Sequence, residues 1–343
     1  MTTASRPRVV YTDPRWAVDA RGELDPALAD VERTIYGDAV TLDFGIREDG
    51  GYVGEGPRLH ERVRGASALL VLRTRVDGAL LDAIGPSLRV VGRQGVGFDA
   101  LDLDELARRG VFAFNVPDFC TAEVSDHALA LTLALARRIV VVNALIKSNR
   151  WMTESGGERR RLGLLTFGIV GLGRIGRAVA RKAEVFYGTV AAYDPNVSDD
   201  SMAGIGVRRC ATLAELMATS DVVSIHTPLD RSTRHLIDRA ALRAIKPGAF
   251  LINTARGGIV EPEAVLEALE SGRLGGYGSD VFNPEDPNLH PVNRKLLEFD
   301  NVIVSAHSAF MSTESLRSVR SRAAEEIKHV LLEGEPPRFG RLT

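Results

Sequence analysis

The sequence predicts an α/β protein of two domains, each built on a doubly wound parallel sheet. Three observations carry that expectation. At 343 residues the chain exceeds a typical single domain. Short apolar runs alternate with amphipathic helical patterns along most of it, as they do in chains of βα units. From Thr166 onward the apolar runs are continuous and not alternating, as strands covered by helices on both faces require.

In the first third, Val9–Tyr11, Ala68–Leu72 and Leu88–Gly92 read as strands, and Asp77–Ile84 and Asp102–Arg109 as helices. "VFAFNVP" adds a strand that Pro117 stops, because proline donates nothing to a ladder. Thr121 is placed to cap the long helix that follows, its hydroxyl accepting from a first-turn N–H. Glu123 then sits at the positive end of the helix dipole. This helix is expected to run to about Lys147, with the charged stretch Glu154–Arg161 as a solvated connection beyond it. Asp126, His127, Arg137, Arg138 and Asn143 interrupt its apolar surface, so a buried or interfacial helix is expected and not a membrane span. The second series of strands is "TFGIVG", "TVAAYD", "DVVSIH", "AFLINT", "GGYGSDV" and "NVIVSAH". Helical patterns at Arg177–Phe186, Thr212–Met217, Arg239–Ile245 and Glu263–Glu270 lie between several of them.

Composition narrows the function. The chain is 45% hydrophobic and 26% charged, with a formal net charge of −2, so neither nucleic acid nor an anionic membrane is expected as partner. Two cysteines, Cys120 and Cys210, are too few for a disulfide framework and fit a reducing compartment. The N-terminus lacks the apolar stretch of a secretory signal, which makes the cytoplasm the expected location.

Ligands of doubly wound sheets bind beyond the carboxyl ends of the strands. Gly171, Asp194, His226, Arg256, Asp280 and His307 fall at those ends. "GIVGLGRIGRAVA" places Gly171, Gly173 and Gly176 in the spacing G-x-G-x-x-G, after a strand and at the head of a helical pattern. Gly171 allows the tight turn, Gly173 a close backbone approach to a pyrophosphate, and Gly176 close helix–strand packing. Arg174 and Ile175 lie in that turn, at the positive end of the helix. Asp194 ends the next strand, where a carboxylate accepts hydrogen bonds from a ribose diol and repels a 2′-phosphate. No arginine follows it, so NAD is expected over NADP.

Arg256, Glu285 and His307 each have an ordinary structural reading as a surface cation, a loop charge and a lone histidine. Together, following strands of one sheet, they supply complementary chemistry. A guanidinium holds a carboxylate by a two-point fork and polarises a neighbouring carbonyl. An imidazole exchanges a proton with a hydroxyl near neutral pH. A carboxylate beside it favours the imidazolium and orients the ring. Hydride transfer between NADH and a 2-keto acid needs those three services and no metal.

The chain resembles the D-isomer-specific 2-hydroxyacid dehydrogenases over nearly its whole length. The resemblance runs through "GRQGVGFD", "NVPDFCTAEVSDHALALTLALAR", "GIVGLGRIGRA", "AYDP", "HTPLDRSTRHLI", "LINTARGGIV", "GSDVF" and "SAHSAF". "VPDFCTAEVSDHA" and "HSAFMS" are most similar to the branch related to the C-terminal binding proteins. The resemblance implies a Rossmann-type NAD domain at 118–308, inserted in a flavodoxin-like substrate domain at 1–117 and 309–343. It implies Arg256 as the substrate-binding arginine, Glu285 as the orienting acid and His307 as the proton donor. It places Asp280 and Thr254, Ala255 and Arg256 near the nicotinamide, with His307 beside it, and His226, Thr227 and Pro228 on the adenine side. Val96 and Gly97 would offer backbone N–H groups to the substrate carboxylate, and the helical region 122–147 would form a homodimer interface. "SAF" replaces the family's usual "IGG" after the histidine, Ala100 its usual asparagine, and Asp286 follows the glutamate. The function implied is NAD-dependent interconversion of a 2-keto acid and a D-2-hydroxy acid. Two alternatives stand beside it: an NAD-gated binding protein, and the same chemistry on a phosphorylated hydroxy acid or phosphonate. For the latter, Arg73 and Arg75 would meet the extra anion, although solvated surface arginines are their simpler reading.

Overall fold

The computed structural model describes residues 6–151 and 158–343. It divides the chain into two compact units, Met1–Phe119 with Ser312–Thr343, and Cys120–Met311. The first part of the expected charged connection, 154–157, lies outside the described residues.

The first unit is built on strands β1 (Arg8–Tyr11), β2 (Thr41–Phe44), β5 (Ala68–Val71), β6 (Val90–Arg93) and β7 (Phe112–Asn115), with β3 (Arg47–Glu48) and β4 (Gly51–Tyr52) forming a small antiparallel pair. The five-stranded sheet is parallel throughout, in the order β2-β1-β5-β6-β7. Successive residues of a strand point to opposite faces, and both faces are covered. Val9, Tyr11, Leu70, Val90 and Phe114 pack with Val319, Ala323 and Ile327 of the C-terminal helix Thr313–Lys328. Val10, Leu69, Val71, Val91 and Ala113 pack on the other side. There they meet Leu59 of α2 (Pro57–Val63), Leu80 of α3 (Gly78–Ile84) and Leu106 of α4 (Leu103–Arg108), while α1 (Asp30–Tyr36) joins the C-terminal helix on the first face.

The second unit holds β8 (Thr166–Val170), β9 (Thr189–Tyr193), β10 (Arg208–Arg209), β11 (Val222–Ile225), β12 (Ala249–Asn253), β13 (Leu274–Ser279) and β14 (Val302–Val304). Its sheet is also parallel, in the order β10-β9-β8-β11-β12-β13-β14. The chain therefore winds outward in both directions from β8, and the topological switch lies between β8 and β11, where doubly wound sheets bind ligands. Phe167, Ile169, Val222 and Ile252 face one layer, and Val170, Val223, Ile225 and Leu251 the other. The helices are α5 (Thr121–Ala136), α6 (Ile139–Lys147), α7 (Arg174–Ala183), α8 (Asp199–Ala203), α9 (Leu213–Thr219), α10 (Arg239–Ala244), α11 (Pro262–Glu270) and α12 (Pro291–Leu296).

Two expectations about the long helix are corrected. Cys120 and not Thr121 is the N-cap, Thr121 is already helical, and no side chain makes the capping bond. The helix does not run unbroken to Lys147: Arg138 adopts a left-handed conformation, φ +56°, and α5 and α6 bend by 61° across it. No single described helix is long and apolar enough to cross a membrane.

Candidate active site

The glycine turn is built by contact. Gly171 follows β8 with φ +90°, and a Cβ there would lie 2.8 Å from the Thr227 nitrogen. The turn is thus pressed against the chain leaving β11. A Cβ on Gly176 would meet the Gly171 oxygen at 2.1 Å, so the first turn of α7 also packs directly on backbone. At Gly173 nothing lies within 4 Å of the missing Cβ, which leaves bare backbone open to a ligand. α7 has no side-chain cap, and the N–H groups of Arg174, Ile175 and Gly176 at its head have no acceptor within the helix. That combination suits a pyrophosphate.

Asp194 braces this turn as well as facing outward. Its Oδ2 accepts from Leu172 N at 2.7 Å and its Oδ1 from Asn196 N at 2.8 Å, and each oxygen keeps a lone pair for a diol. His226, one residue past β11, makes a 2.8 Å hydrogen bond between Nε2 and Ser224 Oγ. The residue as a whole is half-buried, but desolvation of its ring pushes its pKa down to about 3, so it is neutral at physiological pH. Thr254, just after β12, is buried, and its Oγ1 has no hydrogen-bond partner. An open Gly173, a bare helix end and an orphaned hydroxyl on one sheet edge fit a dinucleotide.

Arg256 lies half-buried three residues after β12. Asn253, fully buried, holds its turn from both ends: Nδ2 donates to the Arg256 carbonyl at 3.0 Å and Oδ1 accepts from Ala255 N at 3.1 Å. Gly257 brings the next strand end into contact. A Cβ there would fall 2.1 Å from the Phe282 carbonyl carbon and 2.5 Å from Asn283 N. The arginine turn and the segment leading to Glu285 are therefore stacked backbone on backbone. Glu285 Oε2 lies 2.8 Å from His307 Nδ1, and the His307 ring is only partly exposed. With the carboxylate ionised, Nδ1 carries the proton of this contact, and Nε2 is left to act on a ligand.

His307 has φ +50°, a left-handed conformation uncommon for residues other than glycine. Such strain persists only where the surroundings impose it, and Asp280 imposes it here. Its carbonyl accepts from His307 N at 2.7 Å. Its carboxylate, almost fully buried, accepts from Ser305 Oγ at 2.6 Å and from the N–H groups of Ser308 and Ala309, each at 2.9 Å. The carboxylate thus turns inward, on the loop that carries the histidine.

The second unit brings Gly171, Gly173, Gly176, Asp194, His226, Thr227, Thr254, Arg256, Asp280, Glu285 and His307 to one edge of its sheet. Val96 and Gly97 belong to the first unit, on the loop after β6; Asn115 Nδ2 donates to the Val96 carbonyl at 2.6 Å. Arg73 and Arg75 are exposed on the loop after β5, which the buried Asp13 fastens through the N–H groups of Leu72, Arg73 and Thr74. Sequence reasoning missed Asn253 and Ser305. Both are small polar residues flanking the ones it named, in "NTAR" and "SAHS", and nothing but proximity marks them.

Residues 129–309 match the family model described as D-isomer specific 2-hydroxyacid dehydrogenase, NAD binding domain. The chain is 36% identical over 286 residues to a glyoxylate reductase of Thermofilum pendens, covering 81% of this chain and 82% of that one. It is 37% identical over 241 residues to a D-3-phosphoglycerate dehydrogenase of Bacillus subtilis, covering 70% of this chain but only 45% of that longer protein. In structure it is similar to a D-lactate dehydrogenase of Aquifex aeolicus complexed with NAD and lactic acid, with a TM-score of 0.82, 27% identity, and 95% and 96% of the two chains covered. The glycine turn and the family match agree on the cofactor, which is NAD. The chain belongs to the D-isomer-specific 2-hydroxyacid dehydrogenase family.

Proposed function

We propose that this protein is an NAD-dependent oxidoreductase interconverting a 2-keto acid and a D-2-hydroxy acid. The observation that carries the proposal is the 2.8 Å contact between His307 Nδ1 and Glu285 Oε2, on a strand end beside the turn of Arg256. Arg256 holds the substrate carboxylate by its fork and polarises the adjacent carbonyl. His307 Nε2 gives a proton to the carbonyl oxygen during reduction and takes it back during oxidation, while Glu285 fixes the ring through Nδ1. Bound NAD supplies or accepts the hydride.

For the cofactor, we assign the pyrophosphate to Gly173, Arg174, Ile175 and Gly176, and a ribose diol to Asp194. His226, Thr227 and Pro228 line the adenine side, and Thr254, Ala255, Arg256 and Asp280 border the nicotinamide, with His307 beside it. We also propose a homodimer through α5 and α6. No residue of α6 is buried, and Ile139, Val140 and Ile146 are exposed. No disulfide joins Cys120 and Cys210, both buried, which accords with the cytoplasm.

Purified protein, NADH and a broad panel of 2-keto acids test the activity. The expected result is oxidation of NADH with at least one acid, well above a His307→Ala control. Equal rates for the two proteins across the panel would sink the proposal.

A further inference from the structure

His127 lies on α5, outside the segments assigned above to cofactor and substrate, and its ring reaches the loop of His307. Its Nε2 is 2.8 Å from Ser305 Oγ and 3.8 Å from Asp280 Oδ1. Ser305 Oγ in turn donates to Asp280 Oδ1 at 2.6 Å. A hydroxyl has one proton to give. With that proton committed to Asp280, Ser305 Oγ is an acceptor toward His127, and Nε2 of His127 is the donor. The chain of bonds therefore has a fixed direction, from His127 to Ser305 to Asp280. Asp280 is where it branches: Oδ1 also takes Ser308 N, Oδ2 takes Ala309 N, and the carbonyl takes His307 N. These are the bonds that hold His307 at φ +50°.

The outer end of the chain is itself anchored. Lys182 of α7 donates to Ala122 O, Ser125 Oγ and Asp126 Oδ1, fixing the turn of α5 that precedes His127. Without His127 the Ser305 hydroxyl loses the ring donor that orients it toward Asp280 Oδ1, and the clamp on the carboxylate loosens. His307 is held in a left-handed backbone conformation, so a loosened clamp has a relaxed alternative available. The His307 ring then swings from the line set by Glu285.

We propose that His127 is a positioning residue for the catalytic histidine, acting through Ser305 and Asp280 and never touching substrate. The proposal deepens the functional reading and rests on its assignment of His307. His127→Leu should lower kcat by about tenfold, as expected when a reacting group is misplaced, with KM for NADH unchanged. His127→Gln, whose amide can donate to the same hydroxyl, should recover most of the loss. Ser305→Ala should lower kcat similarly, and His127→Leu should add nothing in that background, because both act on one chain of contacts. A second readout needs no turnover: the ring proton resonances of His307, identified by their loss in His307→Ala, should shift in His127→Leu and return in His127→Gln. Such a shift supports the positioning role even if the keto-acid panel fails. Unmoved resonances, a kcat within about twofold of wild type, or effects of His127→Leu and Ser305→Ala that simply multiply would each overturn it.

Discussion

A guanidinium at position 256 differs from an ammonium in shape more than in charge. The Asn253 side chain fixes the backbone on either side of Arg256, so a lysine there would keep the position and lose the planar fork. Arg256→Lys should reduce kcat/KM for the keto acid by about tenfold or more, measured by steady-state kinetics; unchanged kinetics would remove Arg256 from the substrate site. His226 affects stability differently. Its folded pKa, about 3, lies below the ordinary 6.5, because desolvation disfavours the charged ring. Between those values the unfolded chain binds more protons than the folded one, so this contribution is complete above pH 6.5 and is lost as pH falls toward about 3. His226→Gln should lose less stability than wild type between about pH 7.5 and about pH 5 in urea titrations. Equal losses would show that the ring is solvated. The sequence singled out His307 and Arg256 because they are residue types that carry scarce chemistry. Asn253 was not singled out, because an asparagine bonding within its own turn carries no mark in the sequence, and Ser305 and His127 were not, because their work depends on distances between elements remote in sequence.

Among the elements, the central strands were readable because burial on both faces makes them continuous apolar runs. The edge strands β2 and β10 were not, being short and partly exposed, with polar residues among their few members. The C-terminal helix Thr313–Lys328 also escaped the reading, although it is among the longest described. Its buried residues are Ser315, Val319, Ala323, Ala324, Glu326 and Ile327, and with half of them small and one charged they give a weak periodic signal. Its attachment explains why so polar a helix docks. Arg320 bonds the fully buried Glu32 of α1 through Nε and Nη2 and stacks 4.1 Å over the Trp16 ring. Removing one partner of a buried pair strands the other charge, at a cost of about 3–5 kcal/mol. Arg320→Ala should therefore lower the urea midpoint sharply. A loss below about 1 kcal/mol would mean the pair behaves as a surface contact. The break between α5 and α6 had no glycine or proline to announce it, and the left-handed residue there is an arginine.

At the scale of the whole molecule, the alternation of apolar runs and helices foretold two parallel sheets, and the glycine spacing foretold which strand begins the cofactor-binding one. Strand order was beyond periodicity, since it depends on how crossovers pack and not on any local pattern. The exposed apolar residues of α6 bear on assembly. On the proposed homodimer, Ile139→Asp with Val140→Asp should convert dimer to monomer in sedimentation; a dimer that survives both charges would place the interface elsewhere. The central claim, that His307 moves the proton, is tested most directly by rates in both directions. With a 2-keto acid and NADH, and with the D-2-hydroxy acid and NAD, His307→Ala should lose about 10²- to 10⁴-fold. Cofactor binding, followed by NADH fluorescence, should be retained. Rates near wild type in either direction, with cofactor still bound, would contradict it.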